Sequence, residues 1–294
     1  MIHEPVMTDE ILSYLAPQRG GLFVDCTVGL GGHTRALLAA GASQVLGLDR
    51  DRESLDLAAA TLRPWADRVE LVHADLRNAE NILSERGLKV VDGVLADLGM
   101  SSYQLETEGR GFSFRRDDPL DMRMDRSTGP TAADLLREAS EAELAHVMFE
   151  YGEERHSWRV ARAIVTARKL APVSTTGQLA GIIRQALPRR GYQRIDPATR
   201  VFQAIRIWVN RELDGLDTFL QNITRQLRAG ARLVVMTFHS LEDRIVKYAL
   251  RSLERGDEVT VRVLTKRPIR PQASEVIRNR RARSAKLRVA EKLT

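Results

Sequence analysis

Four aspartates recur at near-regular intervals in the first hundred residues, Asp25, Asp49, Asp75 and Asp97, and each closes or shortly follows a β-branched run. The first opens the segment DCTVGLGGH, in which Gly29, Gly31 and Gly32 separate a strand-like run from an amphipathic one. Glycines in such a turn let the backbone approach a ligand closely. Asp49 follows Asp25 by 24 residues, at the end of the second run, where a carboxylate can accept hydrogen bonds from ribose hydroxyls. Ligands of open α/β sheets bind outside the carboxyl ends of the strands, so four acids there would line one binding rim. Any one of them could equally cap the following helix; that explains all four less well.

The elements that must position these acids follow from periodicity. Strands are predicted at 22–26, 45–48, 69–73 and 91–96, with helices at 34–40, 53–62 and 78–86 between them, the alternation expected of βαβ units and a parallel sheet. After Leu105 the alternation stops, and a strand-free region runs to about Leu213. Its helical signals include Ser140 with Glu143 as a capping box and the apolar spacing of Val201, Ile205, Trp208 and Val209. A helix at 216–227, a strand at 231–238, a helix at 243–253 and a strand at 259–264 then complete the sheet. The chain is therefore expected to be α/β, with one domain formed by residues 1–107 and 214–294 and a helical insertion at 108–213.

The glycine turn is not a dinucleotide fingerprint, because G-x-G-x-x-G starting at Gly29 needs glycine where Thr34 stands. Asp25 beside the turn would repel a pyrophosphate and favour the ammonium and sulfonium charges of S-adenosylmethionine. The methyl donor is thus preferred over a nicotinamide cofactor. Asp75 or Leu76 would then flank the adenine, by a polar edge and an apolar face. Asp97, opening DLGMSSYQL after the fourth strand, lies nearest a transferable methyl. An exocyclic base amine is a poor nucleophile because its lone pair is conjugated; an acceptor such as Asp97 could orient its protons and help expose that lone pair. Alternatively, Asp97 simply caps a turn.

The formal net charge of +6 is unevenly distributed over the 294 residues. Between Arg262 and Arg288 ten basic residues face one acid, Glu275, giving +9, whereas the rest of the chain carries −3. A second basic group comprises Arg184, Arg189, Arg190, Arg194, Arg200 and Arg206, opposed by Asp196. Charge at this density favours a polyanion and neutralises phosphates without reading sequence. Cys26 is the single cysteine, which excludes an internal disulfide and fits a reducing compartment. No apolar run is long enough to cross a membrane, and the N-terminus has acids where a secretion signal needs a basic start, so a cytoplasmic protein is expected.

The segments HEPVM, DCTVGLGGH, DLGMSSYQL, GFSFRRDDPLDMRMD, YGEER, PATRVFQAIRIWVNREL, FHSLEDRIVK and NRRARSAKLR span nearly the whole chain. Through them the sequence resembles the bacterial small-subunit ribosomal RNA (cytosine-N4)-methyltransferase family. The resemblance implies a class I, Rossmann-like methyltransferase sheet interrupted by a helical substrate-recognition domain. It also implies methyl transfer from S-adenosylmethionine to N4 of a cytidine in the decoding region of 16S ribosomal RNA, with that RNA or the small subunit as partner, and it makes a homodimer plausible. It carries a donor site onto Gly31, Gly32, His33, Asp49, Leu76, Asp97 and Gln104. Three positions depart from the family pattern: Asp196 for a histidine, Ala231 for a glycine and Arg280 for a proline. The competing readings are another RNA or DNA amino-methyltransferase, or a non-catalytic RNA-binding assembly factor.

Amino-methyltransferases acting on DNA clamp the base with an aromatic in a tetrapeptide after the fourth strand; here that text is Asp97, Leu98, Gly99 and Met100. A stacking ring must come from elsewhere, with Phe112, Phe114, Tyr103 and His239 as candidates, although the first two could equally be core. His239 leaves the fifth strand beside Ser240, facing the rim, and is a candidate for substrate contact or catalysis. No pair of histidines or carboxylates has ligand spacing that stands out, so no metal is expected.

Overall fold

A computed structural model describes residues 5–187, 196–256 and 260–293. Seven strands form one sheet: β1 (Leu22–Asp25), β2 (Gln44–Asp49), β3 (Val69–His73), β4 (Val91–Asp97), β5 (Leu227–Thr237), β6 (Val261–Val263) and β7 (Lys286–Lys292). Their order is β3-β2-β1-β4-β5-β7-β6. The first five are parallel, and β7 runs antiparallel between β5 and β6. From β1 the chain winds outward to β3, then crosses back to place β4 on the other side of β1. That reversal opens a crevice at the carboxyl ends of β1 and β4.

Alternate residues of the strands feed two apolar layers. Val24, Leu46, Val94, Ala96 and Val235 pack on one face, while Phe23, Val45, Leu95, Val234 and Met236 pack on the other. Because both faces are covered, the strands read as nearly continuous apolar runs. The second layer also holds Ile11, Leu37, Leu55 and Leu62, so the helix that follows the glycine turn, Gly32–Ala39, packs on the same face as the side chains of Leu95 and Met236.

The chain divides into two compact units, Met1–Gly99 with Leu213–Thr294, and Met100–Glu212. The sequence had placed the divisions at 107/108 and 213/214. The second unit is helical, with helices including Ala132–Glu138, Glu141–Gly152, Ser157–Leu170, Thr176–Ala186 and Ala198–Asn210 around their own apolar cluster. Ser140 caps its helix by accepting a hydrogen bond from the Glu143 N–H at 3.1 Å. Val201 and Ile205 are fully buried in this cluster. No helix among the described residues is long and apolar enough to cross a membrane.

The C-terminal segment departs from the sequence expectation. Lys286–Lys292 is an interior strand rather than a basic tail, hydrogen-bonded to β5 on one side and β6 on the other. Leu287 and Val289 alternate with Lys286 and Arg288, a period-two pattern masked by the surrounding arginines. The charges are absorbed locally: Arg288 Nε donates to Asp243 Oδ1 at 2.7 Å and Lys286 Nζ to Asp243 Oδ2 at 3.1 Å, from the helix Ser240–Arg255. Arg262 pairs with Glu291 at 2.6 Å.

Candidate active site

The glycine turn joins β1 to the helix Gly32–Ala39 and is held by the side chains around it. Gly29 and Gly31 have φ of +52° and +83°, a region only glycine enters freely. A Cβ on Gly31 would meet Leu62 Cδ1 at 3.2 Å, and one on Gly32 would meet Pro5 Cβ at 3.2 Å. Pro5 of the HEPVM segment thus lies against the turn. The same segment is tied down two residues later, where the Met7 N–H donates to Glu275 Oε1 at 2.7 Å.

Asp25 is fully buried, and both its oxygens are used within the turn: Oδ1 accepts from the Thr27 N–H at 3.1 Å and Oδ2 from the Thr34 hydroxyl at 2.7 Å. Burial raises its pKa against those bonds. The sequence reading set Asp25 against the donor's positive charges; the structure makes it an internal brace of the glycine turn, because a side chain with no exposed surface cannot face a ligand. Thr27 and Thr34, which the sequence reading passed over, are its partners. Thr27 Oγ1 also accepts the Asp97 N–H at 2.7 Å, fastening the end of β4 to the turn.

Asp49, at the end of β2, receives the Gly29 N–H on Oδ2 at 2.7 Å and the Asp51 N–H on Oδ1 at 2.8 Å. Burial outweighs these bonds and pushes its pKa up to about 6. Each carboxylate oxygen retains acceptor capacity, and ribose hydroxyls would supply the donors that favour its charged form.

Asp75 has a different commitment from the base-edge contact expected of it. Its Oδ1 accepts from Arg77 Nε at 2.7 Å and Oδ2 from Arg77 Nη2 at 2.8 Å, with Arg50 Nη1 3.4 Å away. Burial alone would raise its pKa, but the Arg77 hydrogen bonds and the two guanidinium charges bring it down. Leu76 beside it is half-buried against the apolar layer.

Asp97 ends β4 beside His33, with His33 Nε2 3.5 Å from Asp97 Oδ2. Asp97 Oδ1 and His33 Nδ1 are buried and hydrogen-bonded to nothing among the described residues. Buried polar atoms in this condition are uncommon and mark a place where a ligand or water completes the bonding. Asp97 and Asp49 thus end two strands of the sheet with carboxylates that retain acceptor capacity, the kind of group that ribose hydroxyls and cationic groups pair with.

Two other expected site residues serve as helix caps. Gln104 lies in the second unit, where its Oε1 accepts the Ser101 N–H at 3.0 Å and Ser101 Oγ accepts the Gln104 N–H at 3.1 Å. His239 caps Ser240–Arg255: its Nε2 is 3.0 Å from Glu242 Oε1, and Glu242 Oε2 accepts the Phe238 N–H at 2.9 Å. His239, its side chain 9% exposed, is fixed as the cap of this helix, with Nε2 buried and without a hydrogen-bond partner among the described residues. Phe112 and Phe114 belong to the apolar cluster of the second unit, Phe114 meeting Phe202 edge-on at 4.7 Å.

The arginine group of the insertion is also partly internal. Arg206 pairs with Glu212 at 2.8 Å, and Arg184 pairs with Asp196 at 3.1 Å while lying 5.6 Å from the Phe114 ring. Arg200 is exposed, and Arg189, Arg190 and Arg194 lie outside the described residues.

A model of the MraW methylase family matches residues 1–293. Three relatives named ribosomal RNA small subunit methyltransferase H match nearly end to end. That of Geotalea uraniireducens is 46% identical over 99% of this chain and 98% of its own length. That of a Cyanothece species is 49% identical over 99% and 95%, and that of Thermotoga neapolitana 48% over 98% and 95%. With a family model covering almost every residue and relatives this similar along their whole length, the chain belongs to the MraW methylase family.

Proposed function

We propose that this protein transfers a methyl group from S-adenosylmethionine to N4 of a cytidine in the decoding region of 16S ribosomal RNA. The observation that carries the reading is the Asp97–His33 pair, with buried acceptor capacity left open on Asp97 at the switch point of a sheet in which β2, separated from β4 by β1, ends in Asp49. Bound donor supplies an electrophilic methyl on a sulfonium, which departs as a neutral thioether.

Asp97 accepts a hydrogen bond from one N–H of the cytosine amine, which fixes the amine's orientation and reduces conjugation of its lone pair with the ring. As the new N–C bond forms, positive charge develops on that nitrogen, and Asp97 is placed to take the proton it sheds. Asp49 accepts from the ribose, and the glycine turn offers backbone to the donor at close range. Thr27 and Thr34 act through others: Thr34 braces Asp25, and Thr27 holds Asp97 through its backbone.

The RNA contacts are assigned to the excursion between β6 and β7. Lys286 pairs with Thr237 at the carboxyl end of β5, so the excursion ends on the same rim as Asp97. Lys266, Arg267, Arg270, Arg278, Arg280, Arg281 and Arg283 are all exposed in it. Its single acid, Glu275, is bound to the Met7 N–H next to the glycine turn. The test incubates the protein and donor with unmethylated small subunits and, separately, with naked 16S RNA, and reads N4-methylcytidine by nucleoside mass spectrometry. Product in either arm supports the reading and identifies the substrate form; a protein that binds donor and yields no product in both arms contradicts it.

A further inference from the structure

Of the rings the sequence suggested, Phe112 and Phe114 pack in the apolar cluster of the second unit, Tyr103 lies in the helix Ser102–Glu106 of that unit, and His239 caps a helix. A further ring lies at the rim of the sheet. Phe238 directly follows β5, and the sheet register locates it. Asp97 pairs with Met236, and the Leu98 N–H donates to the Met236 carbonyl at 2.9 Å. Two residues further along each chain, Gly99 meets Phe238: a Cβ on Gly99 would stand 3.3 Å from Phe238 Cδ2.

Side chains of a strand alternate between faces. Leu95, Val234 and Met236 all belong to the layer that also receives Phe238. Asp97 and Phe238 therefore project on the same side of the sheet, the side that carries His33 and the helix after the glycine turn. Phe238 is half-buried, packs against that layer and stands beyond the last strand residue. Its backbone is fixed by the bond from its N–H to Glu242, which is itself buried and engaged by the His239 cap. Gly99, at φ +108°, leaves the space over the ring's edge free of a side chain.

Resting on the methyltransferase reading, we propose that Phe238 is the stacking surface for the target cytosine and presents its exocyclic amine to Asp97. A pyrimidine laid on a ring beside the carboxylate has its amine directed along the plane in which Asp97 can accept from it. Stacking also repays part of the cost of drawing the base out of its RNA stack. Such a surface is indifferent to which base it carries, so selection of cytosine falls to the polar edge at Asp97.

The experiment compares wild type with Phe238→Leu, Phe238→Met, Phe238→Tyr and Phe238→Trp, using whichever RNA substrate the wild type methylates, and measures donor affinity by calorimetry alongside. Leucine and methionine should lower kcat/KM for the RNA by about 5- to 150-fold, the range expected from loss of one base–aromatic stack. Donor affinity should be unchanged, and tyrosine and tryptophan should retain most of the rate. Methionine fills the space of the ring flexibly and carries the same test if the leucine variant does not fold. Equal activity in all five proteins overturns the proposal, as does an equal loss in all four variants, which would mark Phe238 as a packing residue. A wild type that binds donor but methylates nothing overturns the methyltransferase reading itself; an active wild type with an undiminished leucine variant overturns this proposal alone.

Discussion

His33 Nε2 stands 3.5 Å from Asp97 Oδ2, and both ring nitrogens of His33 and Asp97 Oδ1 are buried without a hydrogen-bond partner among the described residues. Leaving a polar atom unsatisfied costs about 1–3 kcal/mol. In the proposed reaction substrate completes this pair, and the surrounding residues hold it in place. Thr27 anchors Asp97 by its backbone, and Asp25 with Thr34 stiffens the turn that precedes His33.

Thr34→Val tests the brace. It removes the hydroxyl donor from a carboxylate with no exposed surface, so unfolding stability should fall by about 1–3 kcal/mol in urea denaturation. Donor affinity should weaken with it, since the glycine turn loses its support. A valine variant as stable as wild type would mean that the Thr34 bond contributes nothing.

Asp49 makes donor binding dependent on pH. With its pKa pushed up to about 6 by burial, the carboxylate is mostly charged at pH 7.5 and mostly protonated at pH 5. Hydroxyl donors favour the charged form, so Kd for S-adenosylmethionine should weaken as pH falls through 6, approaching about tenfold per pH unit below it. Asp49→Asn should bind more weakly at pH 7.5 and lose this dependence. The effect on folding has the opposite sense. A pKa raised on folding disfavours the folded state at high pH, so Asp49's cost to stability is present above about 6 and is relieved as the pH falls below it. A flat calorimetric Kd from pH 7.5 to 5 would remove Asp49 from the donor site.

The basic C-terminal segment separates into two functions. Truncation after Leu264 removes β7 from between β5 and β6 and should abolish cooperative unfolding, measured by circular dichroism. Replacing the exposed Lys266, Arg267, Arg270, Arg280 and Arg283 with glutamine should leave the fold and donor affinity intact. It should weaken RNA binding and reduce the slope of log affinity against log salt by about 3 to 5. An unchanged salt slope would place the RNA elsewhere.

Asp243→Asn addresses the structural half. Arg288 is 5% exposed and would lose its carboxylate partner, a change worth about 3 kcal/mol. Burial pushes the Asp243 pKa up, but the bonds from Arg288 and Lys286 more than offset it and leave it lowered. The stabilisation it provides is thus present above the ordinary carboxylate range and is lost as the pH drops through its lowered pKa. Urea midpoints of wild type and variant should converge in acid; a constant gap would mean that the ion pair is not the source.

The glycine turn, the four strand-end aspartates and the helical insertion were legible because periodicity and glycine spacing are local properties. Strand β7 was not, since Leu287 and Val289 lie among arginines whose partners, such as Asp243, come from a distant part of the sequence. Burial was equally hidden: Asp25 and Asp49 look alike as sequence, yet Asp25 is fully buried and Asp49 keeps partial exposure, a difference set by which side chains pack over them. Phe238 escaped notice because its position depends on the register of β4 against β5, which no single segment encodes. His239 and Gln104 had ready local signatures, three residues from Glu242 and Ser101, that mark helix caps.

In the proposed reaction Asp97 orients and deprotonates the cytosine amine. The most direct measurement of that role is the rate of N4-methylcytidine formation by wild type and Asp97→Asn, each saturated with donor as verified by calorimetry. The isosteric asparagine should lower kcat by about 100-fold or more while leaving RNA affinity unchanged. An asparagine variant that forms N4-methylcytidine at the wild-type rate would contradict the account.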